Sequence, residues 1–287
     1  MTGGTYDRTY ANSGSGPTGE ADPASVSSFR LDKYEVTVGR FRQFVTAWDG
    51  GAGYTPPPGS GKHTYLNGGQ GLANSGTAGT YETGWIGSDD SYIAPTTSNL
   101  NCDVSLGDAT WTNTAGRQEN LPINCENWYE AYAFCIWDGG FLPSETEWDY
   151  AAAGGSQQRE YPWGSTDPGI ESQYAIYDCN YPPGANSTSA CMGVTNIAPV
   201  GTATLGAGLW GQLDLAGNMW EWTLDWNAPY VNPCSDCAYL SQGSSGRVVR
   251  GGDYLDAASL IVSPSSPGSD PPAQRSGSSG FRCARTP

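Results

Sequence analysis

Two short runs hold the residues best suited to chemistry. The first is Asp214–Trp226, D-L-A-G-N-M-W-E-W-T-L-D-W, which sets Glu221 between Trp220 and Trp222. Side chains alternate along an extended strand, so Trp220, Trp222 and Trp226 share one face and need a core to receive them. Glu221 points the other way, toward Asp214 and the turn Ala216-Gly217-Asn218, and a carboxylate there needs water, a cation or a donor. The second run, Asp253-Tyr254-Leu255-Asp256, carries a pair of carboxylates that could exchange protons with a substrate. Aspartates in a turn-rich loop are more often simply solvated. Other chemistries fail for want of parts. His63 is the single histidine, too few for Ser/His/Asp catalysis or for a histidine-rich iron site. Glycine-rich phosphate and dinucleotide signatures are absent.

Eight cysteines stand at 102, 125, 135, 179, 191, 234, 237 and 283. An even number in a glycine-rich, lysine-poor chain points to disulfides and an exported protein. Cys234-x-x-Cys237 could instead begin a zinc site, but there is no second such pair. The chain has 287 residues with 13 basic and 29 acidic side chains, a net charge of −16. That balance disfavours nucleic acid and anionic membranes and favours solubility or divalent cations. No apolar run is long enough to cross a membrane. No signal peptide is visible, and Met1 reads as a trimmed boundary, since Thr2–Tyr6 already looks like domain sequence.

The elements that must position these residues are sparse. Gly 40 and Pro 20 predict long loops, while Trp 11 and Tyr 17 predict an ordered core built from rings. Residues 1–35 read as strands. Thr37 can cap a helix of about 11 residues, with Val38, Phe41, Phe44, Val45 and Trp48 on one face and Asp49-Gly50-Gly51 as its stop. Residues 50–120 read as a long loop pinned by Tyr54, Tyr65, Tyr81, Trp85, Tyr92 and Trp111. Asn127 can cap a second helix bearing Trp128, Ala131, Tyr132 and Cys135, which Gly139-Gly140 ends. Ser144-x-x-Glu147 is a capping box for a third helix, ended by Gly154-Gly155. Arg247–Arg250 reads as a core strand closing on a tight backbone approach at Gly251-Gly252. Neither repeats nor a linker interrupt the chain, so residues 1–287 read as one domain.

Six of these pieces, in this order, resemble the formylglycine-generating enzyme (sulfatase-modifying factor) family: Glu35-Val36-Thr37, Trp128–Cys135, Leu142–Trp148, Gly217–Trp222, Arg250-Gly251-Gly252 and Gly280-Phe281-Arg282-Cys283. The resemblance covers roughly residues 25–285. It implies an α+β fold, a variant of the C-type lectin fold with two helices, a small twisted sheet and extensive loops. It also implies a Cys135–Cys283 disulfide, after which Cys102–Cys125, Cys179–Cys191 and Cys234–Cys237 are the simplest remaining pairs. The family's G-N-x-W-E-W stretch binds calcium. Carried over, the side chains of Asp214 and Glu221 and the carbonyls of Gly217 and Met219 become ligands, a donor set of the kind calcium prefers. A second calcium loop falls near Asn180-Tyr181, where Cys179 and Cys191 stand in its place.

The resemblance breaks at the chemistry. The enzymes hold copper on two cysteine thiolates shortly after R-G-G, and those positions are Asp256 and Ile261 here. Neither is a thiolate, so copper-dependent formylglycine formation is not expected. A sister branch of iron-dependent sulfoxide synthases needs a histidine cluster that His63 alone does not provide. Some proteins of this fold are diversified by retroelements between R-G-G and the terminal G-F-R. Residues 253–272 lack Lys, Glu, Gln, Met and Trp, as that mutagenesis would leave them, though ordinary divergence explains the composition equally well. The expected function is therefore a non-catalytic, secreted or surface binding module stabilised by calcium and disulfides. Its ligand, a protein or glycan, would meet Asp253, Tyr254, Asp256, Ser259, Ile261 and Ser263 with parts of the 50–120 loop. The alternatives are a copper-dependent thiol oxidase and a self-assembling surface or appendage subunit.

Overall fold

A computed structural model describes residues 1–102, 107–184, 191, 193–243 and 246–287. The chain opens with a long antiparallel hairpin, β1 (Gly4–Asn12) and β2 (Pro17–Val26), in which Gly4 faces Val26 and Asn12 faces Pro17. After β3 (Arg30–Leu31) comes helix α1 (Val38–Trp48). Thr37 caps it as expected, its hydroxyl accepting from the Arg40 amide at 3.2 Å. Val38, Phe41 and Phe44 are buried, and Asp49 ends the helix in the left-handed conformation.

Among its described residues the 50–120 segment contains the two-residue strand β4 (Ala73–Asn74) and short 3-10 turns. Its rings hold it down, as expected: Trp85 and Trp111 are buried, and Tyr54 and Tyr65 pack against the core. Helices α2 (Trp128–Trp137) and α3 (Glu145–Ala153) both begin in complete capping boxes, Asn127 with Glu130 and Ser144 with Glu147. Gly154, in the left-handed conformation, stops α3.

The centre is β5 (Trp220–Trp226), which is buried over nearly its whole length. After it come β6 (Cys234–Ser235), β7 (Cys237–Ala238), β8 (Arg247–Arg250), β9 (Gly268–Asp270), β10 (Ser279–Gly280) and β11 (Ala284–Arg285). The main sheet has the order β10-β5-β8-β9. Within it β5 runs antiparallel to β8, pairing Glu221 with Arg250, and parallel to β10, pairing Glu221 with Gly280. One core cluster joins Phe41, Phe44, Phe134, Phe281 and Trp222, and a second joins Tyr6, Phe29, Trp148 and Leu215. The eight cysteines pair as Cys135–Cys283, which the resemblance implied, and as the three simplest remaining pairs, Cys102–Cys125, Cys179–Cys191 and Cys234–Cys237. A zinc role for Cys234 and Cys237 is therefore replaced by a disulfide. Cys135–Cys283 links positions 148 residues apart, and closing so long a loop contributes roughly 5 kcal/mol in the chain-entropy picture. Among the described residues no helix is long and apolar enough to cross a membrane.

His63 supplies an internal tie that its isolation in the sequence did not foretell. It is wholly buried, its ring tilted against that of Phe141 with centroids 3.7 Å apart. Nδ1 lies 3.0 Å from Glu82 and Nε2 lies 3.0 Å from Glu147. Two carboxylates facing the two ring nitrogens call for the imidazolium, in which both nitrogens are donors. Burial alone would lower the pKa, but the charges of Glu82 and Glu147 outweigh it and raise it to about 10. The ion triad thus pins the 50–120 loop to the N-terminus of α3. With the unfolded value near 6.5 and the folded value about 10, its stabilisation is complete below the first and lost as pH rises through the second. Denaturant melts from pH 6 to pH 10 should therefore show falling stability. His63→Gln should remove about 3–5 kcal/mol at pH 6 and flatten that slope. A flat wild-type profile would refute the imidazolium.

Candidate functional site

The turn at the head of β5 is folded against β8 and the chain end. Gly217 has φ 79°, and a Cβ there would collide with the Ile176 carbonyl oxygen. Its amide donates to the Gly251 carbonyl at 2.9 Å, which joins this turn to the R-G-G stretch. Asn218 lies at the centre, donating to Glu35 Oε2 at 2.7 Å and accepting from the Ala198 amide at 3.1 Å. The Asp214 carboxylate accepts the Gly201 amide at 2.6 Å.

Glu221 is fully buried and bound to a cation that belongs to the chain itself. Arg282 Nε donates to Oε2 and Nη2 donates to Oε1, each at 2.6 Å, and Trp148 Nε1 donates to Oε2 at 2.8 Å. Arg282 Nη2 also donates to the carbonyls of Leu213 at 2.9 Å and Asp214 at 3.0 Å. The fork geometry of guanidinium matches the carboxylate and the two carbonyls together.

The expected calcium set of Asp214, Gly217, Met219 and Glu221 stands in this turn, with partners from the chain itself on Asp214, Gly217 and Glu221. Both oxygens of Glu221 and the main-chain oxygen of Asp214 are already held by Arg282, and the Gly217 carbonyl accepts the Met219 amide at 3.0 Å. Calcium wants six to eight converging oxygens; here the Glu221 carboxylate and the Asp214 carbonyl converge on the Arg282 guanidinium. The second expected pair is likewise committed. The Asn180 carbonyl accepts from Ser172 at 2.9 Å and the Tyr181 carbonyl from Asn196 at 2.6 Å. Among the described residues no group of three or more His, Cys, Asp or Glu side chains is placed to hold a metal ion. The residue missed in the sequence was Arg282. Its signal was the terminal G-F-R motif, which had been read only for its cysteine.

Carboxylates nevertheless outnumber cations here. Burial, followed by the charges of Asp214 and Glu221, raises the pKa of Glu35 well above the usual range. Burial raises Asp214 to about 6.

The loop after β8 divides the six expected binding residues. Asp253, Tyr254, Ile261 and Ser263 are buried, whereas Ser259 is exposed and Asp256 is half-buried. Asp253 Oδ1 accepts the amides of Leu255 at 2.8 Å and Asp256 at 3.1 Å, and Asp256 Oδ2 returns the bond to the Asp253 amide at 3.0 Å. Burial and the neighbouring Asp256 raise Asp253 to about 7. Tyr254 donates to Asp108 at 3.2 Å, and Ser263 donates to the Ala152 carbonyl at 3.0 Å. Ile261 packs with Tyr161, Tyr177 and Ala216. Four of the six are thus scaffold. The accessible surface of the loop is Leu255, Asp256, Ala257, Ser259 and Leu260. In the 50–120 segment, Trp85 and Trp111 are likewise buried, while Ile86 and Tyr92 reach solvent.

A disulfide-stapled α+β domain with little helix and a buried W-E-W strand defines the lectin-like class to which sulfatase-modifying factors belong. A family model, the sulfatase-modifying factor enzyme 1-like domain, matches residues 1–287. The chain belongs to the formylglycine-generating enzyme family. It is 34% identical over 194 residues to the formylglycine-generating enzyme of Streptomyces coelicolor, covering 63% of this chain and 60% of that protein. It is 31% identical over 156 residues to the inactive C-alpha-formylglycine-generating enzyme 2 of Mus musculus, covering 52% of this chain and 45% of that protein. Among solved structures, PvdO from Pseudomonas aeruginosa superposes with a TM-score of 0.61 at 18% identity, covering 100% of this chain and 93% of that one. The last likeness is one of fold.

Removing the buried cation should be severe. Arg282→Ala is expected to cost about 3–5 kcal/mol in urea melts, because Glu221 is left buried and unpaired. Calcium chelation of the wild type is expected to shift the melting temperature by less than about 1 °C, since a ligand bound only by the native state would add stability by mass action. A fall of 5 °C or more would return the turn to calcium.

Proposed function

We propose that this protein is a non-catalytic binding module built on the formylglycine-generating enzyme fold and that it works outside the cytoplasm. The observation that carries the reading is the state of its sulfur. All eight cysteines are in disulfides and none is free. A copper-thiolate mechanism needs two thiolates in one place, and here those positions hold a turn-forming aspartate, Asp256, and a core isoleucine, Ile261. His63, enclosed by Glu82 and Glu147, offers no ligand for iron.

Four disulfides suit an oxidising compartment. The proposed ligand surface is narrower than the sequence suggested. Leu255 and Leu260 stand exposed beside Asp256, Ala257 and Ser259, on a loop whose backbone is held by the Asp253–Asp256 bonds. Apolar side chains presented on a rigid loop with a polar rim favour a protein or glycan ligand.

Two measurements test this. With copper and a cysteine peptide bearing the sulfatase motif, the protein should consume no oxygen above buffer, and clear turnover would overturn the reading. A screen of immobilised proteins and glycans should yield ligands whose binding falls at least tenfold in Leu255→Asp/Leu260→Asp, a loss of about 1.4 kcal/mol or more. Undiminished binding by the double variant would place the ligand elsewhere.

A further inference from the structure

A cavity of about 340 Å³ lies at the opposite end of the β5–β8 pair from the 253–263 loop. Helix α2 contributes Trp128, Tyr129 and Tyr132, β5 contributes Leu224 and Trp226, and β8 contributes Arg247. Its size is at the lower end of small-ligand pockets, roughly 300–1,000 Å³.

Arg247 is unusual among the arginines of this sheet. Arg250 and Arg282 each meet a carboxylate, whereas Arg247 forms no ion pair among the described residues. Instead its guanidinium is clamped between two indoles, 3.8 Å from the ring centre of Trp128 and 4.1 Å from that of Trp226. Nη1 donates to the Leu224 carbonyl at 2.6 Å. Nε is buried and has no hydrogen-bond partner among the described residues. Cation–π contacts with two rings offset part of the cost of burying this charge, but they leave the Nε edge donor unused. Burial pushes its pKa down to about 10.

The stacked indoles leave only the edge of the guanidinium free, and that edge matches a planar carboxylate. Glu82 and Asp89 also line the cavity, and their negative charge disfavours a dianion such as phosphate. The remaining wall is aromatic, suited to the face of a ring.

We propose that this cavity binds a small monoanion whose carboxylate is carried on a six-membered ring, with the carboxylate on the edge of Arg247 and the ring against the tyrosines of α2. Two sources share that chemistry. An acidic sugar would place hydroxyls near Asp89 and Gln242, and an aromatic acid would stack on Tyr129 and Tyr132. The site is independent of the 255–260 surface proposed above, so either can fail without the other.

The test uses the full chain, tryptophan fluorescence and calorimetry, with sodium glucuronate and sodium benzoate as probes and glucose and benzamide as neutral controls. At least one acid should bind saturably, and the preferred acid identifies the source. Its affinity should fall about tenfold or more in Arg247→Gln, the scale of one charge-assisted hydrogen-bonded pair. Asp89→Asn should tighten binding two- to fivefold by removing a like charge, a gain that a folding defect does not produce. The proposal is overturned if neither acid saturates, or if the neutral controls bind equally well. It is also overturned if Arg247→Gln with native near-ultraviolet dichroism binds as the wild type does, or if Asp89→Asn leaves affinity unchanged.

Discussion

The buried pair of Glu221 and Arg282 is the interaction on which the fold depends. Burying two charges costs several kcal/mol each, and the cost is recovered only where every donor and acceptor is matched. Here the match is close: two guanidinium bonds and one indole bond reach the carboxylate, and the remaining guanidinium hydrogens reach main-chain carbonyls. Such a pair adds little net stability over an apolar substitute, but it tolerates one register only. If β10 slipped by a single residue, Gly280 would no longer stand opposite Glu221, and Arg282, two residues on, would be carried out of reach of the carboxylate.

Arg282 also sits in a run whose neighbours do comparable jobs. Phe281 packs on Phe41 and Phe134, with ring centroids 6.2 and 5.4 Å away. Cys283 closes the disulfide to Cys135 of α2. Three consecutive residues therefore lock α1, β5 and α2 together by packing, charge and covalent bond. The arrangement explains how a domain with so little regular structure holds long loops in place. Its loops are tied at defined points, the 50–120 segment by the His63 triad and the post-β8 loop by reciprocal aspartate bonds.

The same economy bears on function. The loop after β8 is held by its own side chains. Asp256 completes a turn and Ile261 fills a core. What remains accessible is a short apolar rim, together with an aromatic cavity at the far end of the sheet. Both set apolar side chains beside polar or charged neighbours.

The sequence by itself determined the local elements and the family. Helix caps are contacts between residues three apart, so Thr37, Asn127 and Ser144 could be read as starts without knowing the fold. The W-E-W run foretold a buried strand because alternation is a property of neighbours. The family's terminal cysteine implied Cys135–Cys283, and the structure pairs those two residues. Tertiary structure alone decided the partners of the lone polar groups. Arg282 lies 61 positions from Glu221, His63 lies 84 from Glu147, and Trp128 and Trp226 come from different elements to enclose Arg247. No periodicity records such meetings, because burial makes a charge seek whichever opposite group the chain brings within reach. For that reason the pairing of Glu221 with Arg282 was not legible in the sequence, where Glu221 reads only as an acid in need of a partner. For the same reason the burial of Asp253, Tyr254, Ile261 and Ser263 was not legible in the sequence, where they read as part of a binding face.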